Sequence, residues 1–419
     1  MTQARFPIAR TRAPNRTEPT GEGRHAGHPR FLGSKEVGRS PSWSDRLGAD
    51  ARAPSVGQVE VALPDHEYDQ NAMMETLKRR WKDRPKVMNL VDRLHSAVQV
   101  ERRCLALPLE EYDQLSDFGA ANDAFIRVGT ELAARAVSAA VERAGLDLGD
   151  VDAIFYTTVT GLAVPTIDAR LVNVLGLRRD IRRTPMFGLG CVGGAAGLAR
   201  TNDYLRGHPD HVAVLLSVEL CSLTLQDDFS IANVVASGLF GDAAAALVLT
   251  GSEAIAPRSS RGGTRASSGP PSIRSRTRAR VVDTRSAFFP DTERVMGWDV
   301  GASGFKVVLS ADVPEIVKRH LPAEVDAFLE DNRLTRSDVR HWICHPGGPK
   351  VINAIEESLE LPENALAITR ESLASVGNLS SASVLHVLGK TQHRAVPGDI
   401  GVLMAMGPGF CAELVLLVW

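Results

Sequence analysis

No apolar stretch of the chain is long enough to cross a membrane, and the N-terminus lacks the apolar core of a secretory leader. The run Leu414–Trp419 is apolar but far too short to span, and it reads as a buried strand. Cysteine is scarce, with five in 419 residues: Cys104, Cys191, Cys221, Cys344 and Cys411. They are scattered, their number is odd and no two form a C-x-x-C pair. That argues against a disulfide scaffold or a structural zinc site and fits a reducing cytoplasm. The formal net charge of −2 gives the whole chain no electrostatic basis for nucleic-acid binding. No G-x-S-x-G motif occurs, so a serine-hydrolase elbow is set aside. What remains is an ordinary globular composition, 44% hydrophobic and 23% charged, with length for two domains or one duplicated unit.

Two segments depart from that composition. Residues 1–60 are rich in Arg, Gly, Pro and Ser and carry no helical or strand period. They read as a disordered extension, or as sequence ahead of the true start. Glu18, Glu22 and Glu36 argue against a mitochondrial presequence. Residues 252–280 hold Arg258, Arg261, Arg265, Arg274, Arg276, Arg278 and Arg280 against Glu253 alone, with glycine and proline pairs between them. This is the pattern of a solvated insertion loop, the alternative being a basic docking site for an anionic partner.

Elsewhere strands and helices alternate. Strands are expected at 152–158, 211–219, 243–249, 339–344 and 400–406, and helices at 165–175, 231–239, 349–359 and 380–388. Alternation of this kind predicts an α/β fold with helices packed on sheets. The similar order of the two parts suggests an internal duplication, with 61–281 as the first half and 282–419 as the second.

Chemistry concentrates in three places. Met186–Arg200 places Cys191 after Gly188 and Gly190, ahead of a helix rich in small residues, including Gly193, Gly194 and Gly197. Helix interiors avoid that much glycine unless packing demands it. A cysteine at a helix start is a candidate thiolate, since the helix dipole favours the anion; the alternative is a buried cysteine packing as a small apolar side chain. His345 ends the apolar strand His341–Cys344 and precedes Pro346-Gly-Gly-Pro349, a placement suited to displaying a catalytic base. Asn378 precedes a helical run, where it serves as an N-cap or as an amide donor to an oxyanion.

Together these segments resemble the type III polyketide synthases, the chalcone-synthase-like branch of the thiolase fold. Leu239–Ala246 resembles the family's L-F-G-D-G-A-A segment, with Ala243 in place of glycine. Trp298–Leu309 resembles the segment with its second gatekeeper phenylalanine, and Gly407-Pro408-Gly409 its G-P-G loop, preceded here by Ala405-Met406 rather than Gly-Phe. The similarity covers about residues 60–419. It implies a duplicated αβαβα layered fold and an acyltransferase working on acyl-CoA and malonyl-CoA, with no tightly bound cofactor and no metal.

By the same resemblance, Cys191 carries the acyl group as a thiolate–imidazolium pair with His345. His345 and Asn378 hold the enolate formed on decarboxylation. Phe240 and Phe305 flank the cavity entrance, and Cys221 and Thr224 line an acyl tunnel. Arg93 is the basic residue retained for coenzyme A phosphates, where Ala97 replaces another. A homodimer is implied, with a residue near Val164 reaching the partner's cavity. The segment 218–226 resembles actinobacterial members and suggests a fatty acyl starter and an alkylpyrone or alkylresorcinol product. Two alternatives stand beside this: a ketoacyl synthase of the fatty-acid-initiating type, which usually carries His-Gln-Ala-Asn at its histidine, and a non-catalytic condensing-fold partner protein.

Overall fold

A strand covered on both faces must be apolar at nearly every position, and Val212–Leu220 (VAVLLSVEL) meets that requirement apart from Ser217 and Glu219. The computed structural model describes residues 52–83, 85–254 and 278–419. In chain order the first part forms β1 (Ser55–Val56), β2 (Glu60–Ala62), β3 (His66–Asp69), α1 (Gln70–Arg80), α2 (Pro85–Ala97), β4 (Arg102–Leu105), α3 (Phe118–Arg143), β5 (Ala153–Thr158), α4 (Ile167–Val174), β6 (Arg182–Phe187), α5 (Gly193–Gly207), β7 (Val212–Leu220), α6 (Ile231–Leu239) and β8 (Asp242–Thr250). The second part forms β9 (Ala279–Phe288), β10 (Met296–Gly301), β11 (Gly304–Leu309), α7 (Val313–Asp331), β12 (His341–Cys344), α8 (Pro349–Leu359), α9 (Ala367–Val376), α10 (Ser381–Gln392), β13 (Ile400–Gly407) and β14 (Cys411–Val418). Every strand and helix expected above is present to within a few residues. No described helix is long and apolar enough to cross a membrane.

Ten strands form one mixed sheet, ordered β12-β13-β14-β9-β1-β8-β7-β5-β6, with β2 also paired to β8. One half runs β6, β5 and β7 in parallel and then β8 antiparallel. The other runs β12 and β13 in parallel and then β14 and β9 antiparallel. The duplicated order is there, with one parallel strand fewer in the second half. Two-residue β1 joins the halves, antiparallel to both β8 and β9. It lies inside the segment 1–60 read as an extension, so the ordered body begins earlier than expected; two residues are too few for a periodic signal. Residues 1–51 and 255–277 lie outside the described residues.

Side-chain alternation sorts the strands into layers. In β7, Ala213 and Leu215 join one core while Val214, Leu216 and Val218 join another. In β14, Val415 and Leu417 share the first of these cores, and Leu414 and Leu416 enter a third. The shared core also holds Ala195 and Leu198 of α5 and Val384, Leu385 and Leu388 of α10. These two helices therefore fill the space between the halves of the sheet, with α3 and α4 outside one and α7 and α8 outside the other. This is the five-layer αβαβα arrangement.

The glycines of α5 now have a reason. A Cβ on Gly194 would lie 2.2 Å from the Ser381 carbonyl oxygen, and one on Gly193 would lie 2.6 Å from Thr157 Oγ1. Only glycine lets α5 come this close to the start of α10. Gly194→Ala is expected to lower stability by about 1–3 kcal/mol through overpacking and to depress turnover further by displacing residues 378–381. Thermal unfolding and steady-state assays check this; an unchanged midpoint would refute the packing argument.

Candidate active site

The chain reaches Cys191 through a forced turn. Gly188 has φ 90° and Gly190 φ 57°, values that L side chains rarely adopt. A Cβ on Gly190 would also lie 2.6 Å from Pro408 Cδ. Cys191 sits in the single turn Gly190–Val192 that opens into α5. Beneath it the 407–409 loop packs tightly, with a Cβ on Gly407 only 2.8 Å from the Val192 nitrogen.

A cavity of about 50 Å³ brings Cys191, His345 and Asn378 together, walled by Cys221, Phe240, Trp298, Ser380 and Pro408 among others. His345 follows β12, its backbone N–H bonded to the Met404 carbonyl at 2.9 Å. Both of its ring nitrogens are buried and have no partner among the described residues. Burial lowers its pKa to about 3 and pushes the Cys191 thiol up to about 12. No hydrogen bond joins the two groups among the described residues. Desolvation of the site works against the expected thiolate–imidazolium pair, and the dipole of α5 works for it.

Asn378 is not the N-cap of α10; Ser380 holds that position. The Asn378 Oδ1 accepts the Ser380 backbone N–H at 2.9 Å and the Ser383 hydroxyl at 3.4 Å. Because Oδ1 is engaged, the amide orientation is fixed and its N–H₂ is left to donate elsewhere. The Asn378 backbone forms a parallel bridge with Phe240, donating to the Leu239 carbonyl and accepting from Gly241 N–H. A buried polar atom without a partner costs about 1–3 kcal/mol. Unpartnered imidazole nitrogens beside an oriented amide thus mark a place that a ligand oxygen completes.

One group with no motif of its own was missed by the sequence reading. Glu219, fully buried in β7, accepts from Val159 N–H at 3.1 Å, Thr160 Oγ1 at 2.8 Å, Thr158 Oγ1 at 3.4 Å and Ser380 Oγ at 3.3 Å, and from the Ser381 hydroxyl. Burial raises its pKa to about 7 against these donors. Its only signal in the sequence was a carboxylate inside an otherwise apolar strand.

The other expected residues divide. Phe240 and Cys221 border both the Cys191 cavity and an adjoining one of about 400 Å³. Thr224 lines only the larger cavity, its hydroxyl donating to the Cys221 carbonyl at 2.7 Å. Phe305 does not border the Cys191 cavity. It is buried against Phe118 and Trp298 beside another cavity, and Val307, two residues along β11, borders the Cys191 cavity. Arg93 lies exposed on α2 and lines none of these cavities; Arg79 and Arg80 on α1 border the larger one instead. Pro408 borders the Cys191 cavity, whereas Gly407 and Gly409 serve close packing. Val164 is 98% exposed.

Comparison with known proteins is consistent along the chain. The N-terminal domain of chalcone and stilbene synthases matches residues 49–254 and the C-terminal domain 280–418. A 1,3,6,8-tetrahydroxynaphthalene synthase from Streptomyces peucetius subsp. caesius is 50% identical over 370 residues, 88% of this chain and 94% of that one. A phloroglucinol synthase from Pseudomonas fluorescens is 30% identical over 361 residues, 86% of this chain and 97% of that one. The crystal structure of 1,3,6,8-tetrahydroxynaphthalene synthase from Streptomyces coelicolor A3(2), a bacterial type III polyketide synthase, superposes with a TM-score of 0.77 at 28% identity, covering 87% of this chain and 99% of that one.

The buried carboxylate has a measurable consequence. The folded chain holds the Glu219 proton more tightly than the unfolded chain, from about pH 4.5 up to about 7. Across that window the native state binds more protons, so stability falls as pH rises. The span is worth on the order of 3 kcal/mol. Glu219→Gln is expected to flatten this loss in denaturant titrations at the two ends of the window; equal losses in both proteins would count against it.

Proposed function

The chain belongs to the chalcone and stilbene synthase family of type III polyketide synthases, and on that premise we propose that Cys191 carries the growing chain while His345 and Asn378 hold the extender as it loses CO₂. The enzyme is an acyltransferase that uses coenzyme A thioesters. In the proposed cycle the Cys191 sulfur bonds to the acyl carbonyl carbon and the coenzyme A thiol leaves. Malonyl-CoA then places its thioester oxygen between the imidazole N–H and the Asn378 amide. Its carboxylate departs as CO₂, the electron pair forms an enolate, and the two donors meet the charge on oxygen. The enolate carbon attacks the Cys191 thioester carbonyl, the carbon–sulfur bond to Cys191 breaks, and the chain, two carbons longer, is left on coenzyme A to reload onto the freed Cys191 sulfur. The observation that carries this reading is the His345 imidazole, both ring nitrogens without a partner among the described residues, in one buried cavity with Cys191 and Asn378.

For the starter we propose malonyl-CoA, with 1,3,6,8-tetrahydroxynaphthalene as product. This departs from the fatty acyl starter and alkylpyrone or alkylresorcinol suggested by the Cys221 segment. The relative at 50% identity makes, by its name, a naphthalene with oxygen on alternate carbons. Ten ring carbons correspond to five two-carbon units and leave none for a fatty chain. The roughly 50 Å³ beside Cys191, walled by Trp298 and Phe240, agrees with a short first acyl group. Cytoplasmic location fits the free cysteines. A homodimer is also proposed, because Val164, Phe187 and Val174 are apolar and more than half exposed.

Malonyl-CoA alone is expected to yield the aromatic product by mass spectrometry, with no acyl carrier protein needed. A requirement for a carrier would favour the ketoacyl-synthase alternative, and a requirement for a fatty acyl-CoA would restore the alkyl product. Cys191→Ala should abolish product, and Asn378→Ala should slow turnover by about 10²–10³; full activity in either would overturn the assignment. Val164→Asp should shift the protein to monomers in sedimentation velocity, and an unshifted species would remove Val164 from the interface.

A further inference from the structure

The last carbonyls of α6 need donors that the helix itself does not supply. The Phe240 N–H closes the final helical bond, to the Ala236 carbonyl at 3.1 Å. The next four carbonyls, of Ser237, Gly238, Leu239 and Phe240, are each met from outside the helix. Arg103 on β4 donates through Nη1 to Ser237 at 3.1 Å and to Phe240 at 3.0 Å. Gln70, the first residue of α1, donates to Gly238 and to the His95 carbonyl, each at 3.1 Å, and its side-chain oxygen accepts from Arg103 Nη2. The Leu239 carbonyl accepts the Asn378 backbone N–H at 2.9 Å, and the Asn378 carbonyl accepts the Gly241 N–H at 3.0 Å. One guanidinium and one carboxamide thus complete the same turn that holds the Asn378 backbone.

We propose that Arg103, braced by Gln70, is a positioning residue for the condensation: by fixing the end of α6 it sets where the Asn378 amide meets the extender. This rests on the reading of Asn378 as a donor to the enolate.

Three features support the role. Arg103 is 1% exposed and borders none of the cavities at the site, so it acts through the backbone it holds and not on substrate. Phe240, whose carbonyl it holds, does border the Cys191 cavity. The turn and the Asn378 segment are also packed without slack. A Cβ on Gly241 would lie 2.4 Å from the Val376 carbonyl oxygen and 3.3 Å from Arg103 Cβ, and one on Gly377 would lie 2.8 Å from the Leu239 carbonyl oxygen. A displacement of the turn therefore passes directly to residues 376–378. Finally, a cation suits the negative end of a helix, and the fork of a guanidinium reaches two carbonyls and Gln70 at once. Asp242, at the start of β8, supplies the opposing charge.

The test is a double-mutant cycle on the full chain, read as turnover of malonyl-CoA, with the rate of Cys191 alkylation by iodoacetamide measured in every variant. Arg103→Met keeps the bulk of the side chain and removes its donors. It is expected to slow turnover by about ten- to a hundredfold, with the loss falling on kcat rather than KM, while Cys191 alkylation stays within about twofold of the unsubstituted protein. In an Asn378→Ala background the same substitution should cost no more than about twofold further. Gln70→Met leaves Arg103 in place and removes one donor to α6. It should show the same pattern with a loss of about threefold, so the proposal is tested even where Arg103→Met does not fold. An undiminished kcat in Arg103→Met, or in Gln70→Met where Arg103→Met does not fold, overturns the positioning role. So does a loss that multiplies in full in the Asn378→Ala background, or one matched by slower Cys191 alkylation, since either marks a merely structural cap. Full turnover in Asn378→Ala alone overturns the reading of Asn378 instead.

Discussion

The site depends on one close backbone contact, the approach of Gly194 on α5 to the Ser381 carbonyl at the start of α10. Cys191 enters from the first half of the chain, and Asn378 and Ser380 from the second. They meet because the two helices lie side by side in the middle layer, each buried between halves of one sheet. A larger side chain at that crossing would move the nucleophile away from the groups that serve it. The glycines that weaken α5 as an isolated helix are what makes the crossing possible.

Desolvation then sets the chemistry of what is gathered there. The same dry surroundings push the Cys191 thiol up, the His345 imidazole down and the Glu219 carboxyl up. A neutral imidazole donates through only one nitrogen, so it suits an enolate oxygen as one member of a pair. The helix N-terminus at Cys191 still contributes, but its dipole acts on a group that burial has already made hard to ionise. Oriented donors in such surroundings are most effective where charge develops on the substrate.

The fold was legible because its strands are apolar on both faces and its helices carry clear boundaries. Ile231–Leu239 and Pro349–Leu359 came out to the residue, one ending before Phe240-Gly and the other beginning with proline. Cys191, His345 and Asn378 were legible as motifs, since each sits where a strand or turn hands over to a helix. Glu219 was not, because a single polar residue in a strand carries no spacing signal until Thr158, Thr160, Ser380 and Ser381 are brought around it from distant positions. β1 was not legible for a related reason: which two residues complete a sheet is decided by tertiary packing.

Phe305 shows how finely such packing divides function. The β10–β11 hairpin pairs only with itself and lies outside the main sheet. Trp298 stands opposite Val307 in the hairpin register, and both border the cavity at Cys191. Phe305 points to the same side of β11, but two residues on it lies about 6–7 Å further along. There it packs with Phe118, Phe187 and Trp298 and anchors the hairpin. The central layer that fixes the reacting groups is thus separate from the hairpin that helps wall the growing chain. The condensation chemistry is held by contacts that tolerate no extra atom, whereas the volume open to the acyl group is set by side chains on a two-stranded ribbon, which can change size without disturbing the nucleophile or its donors.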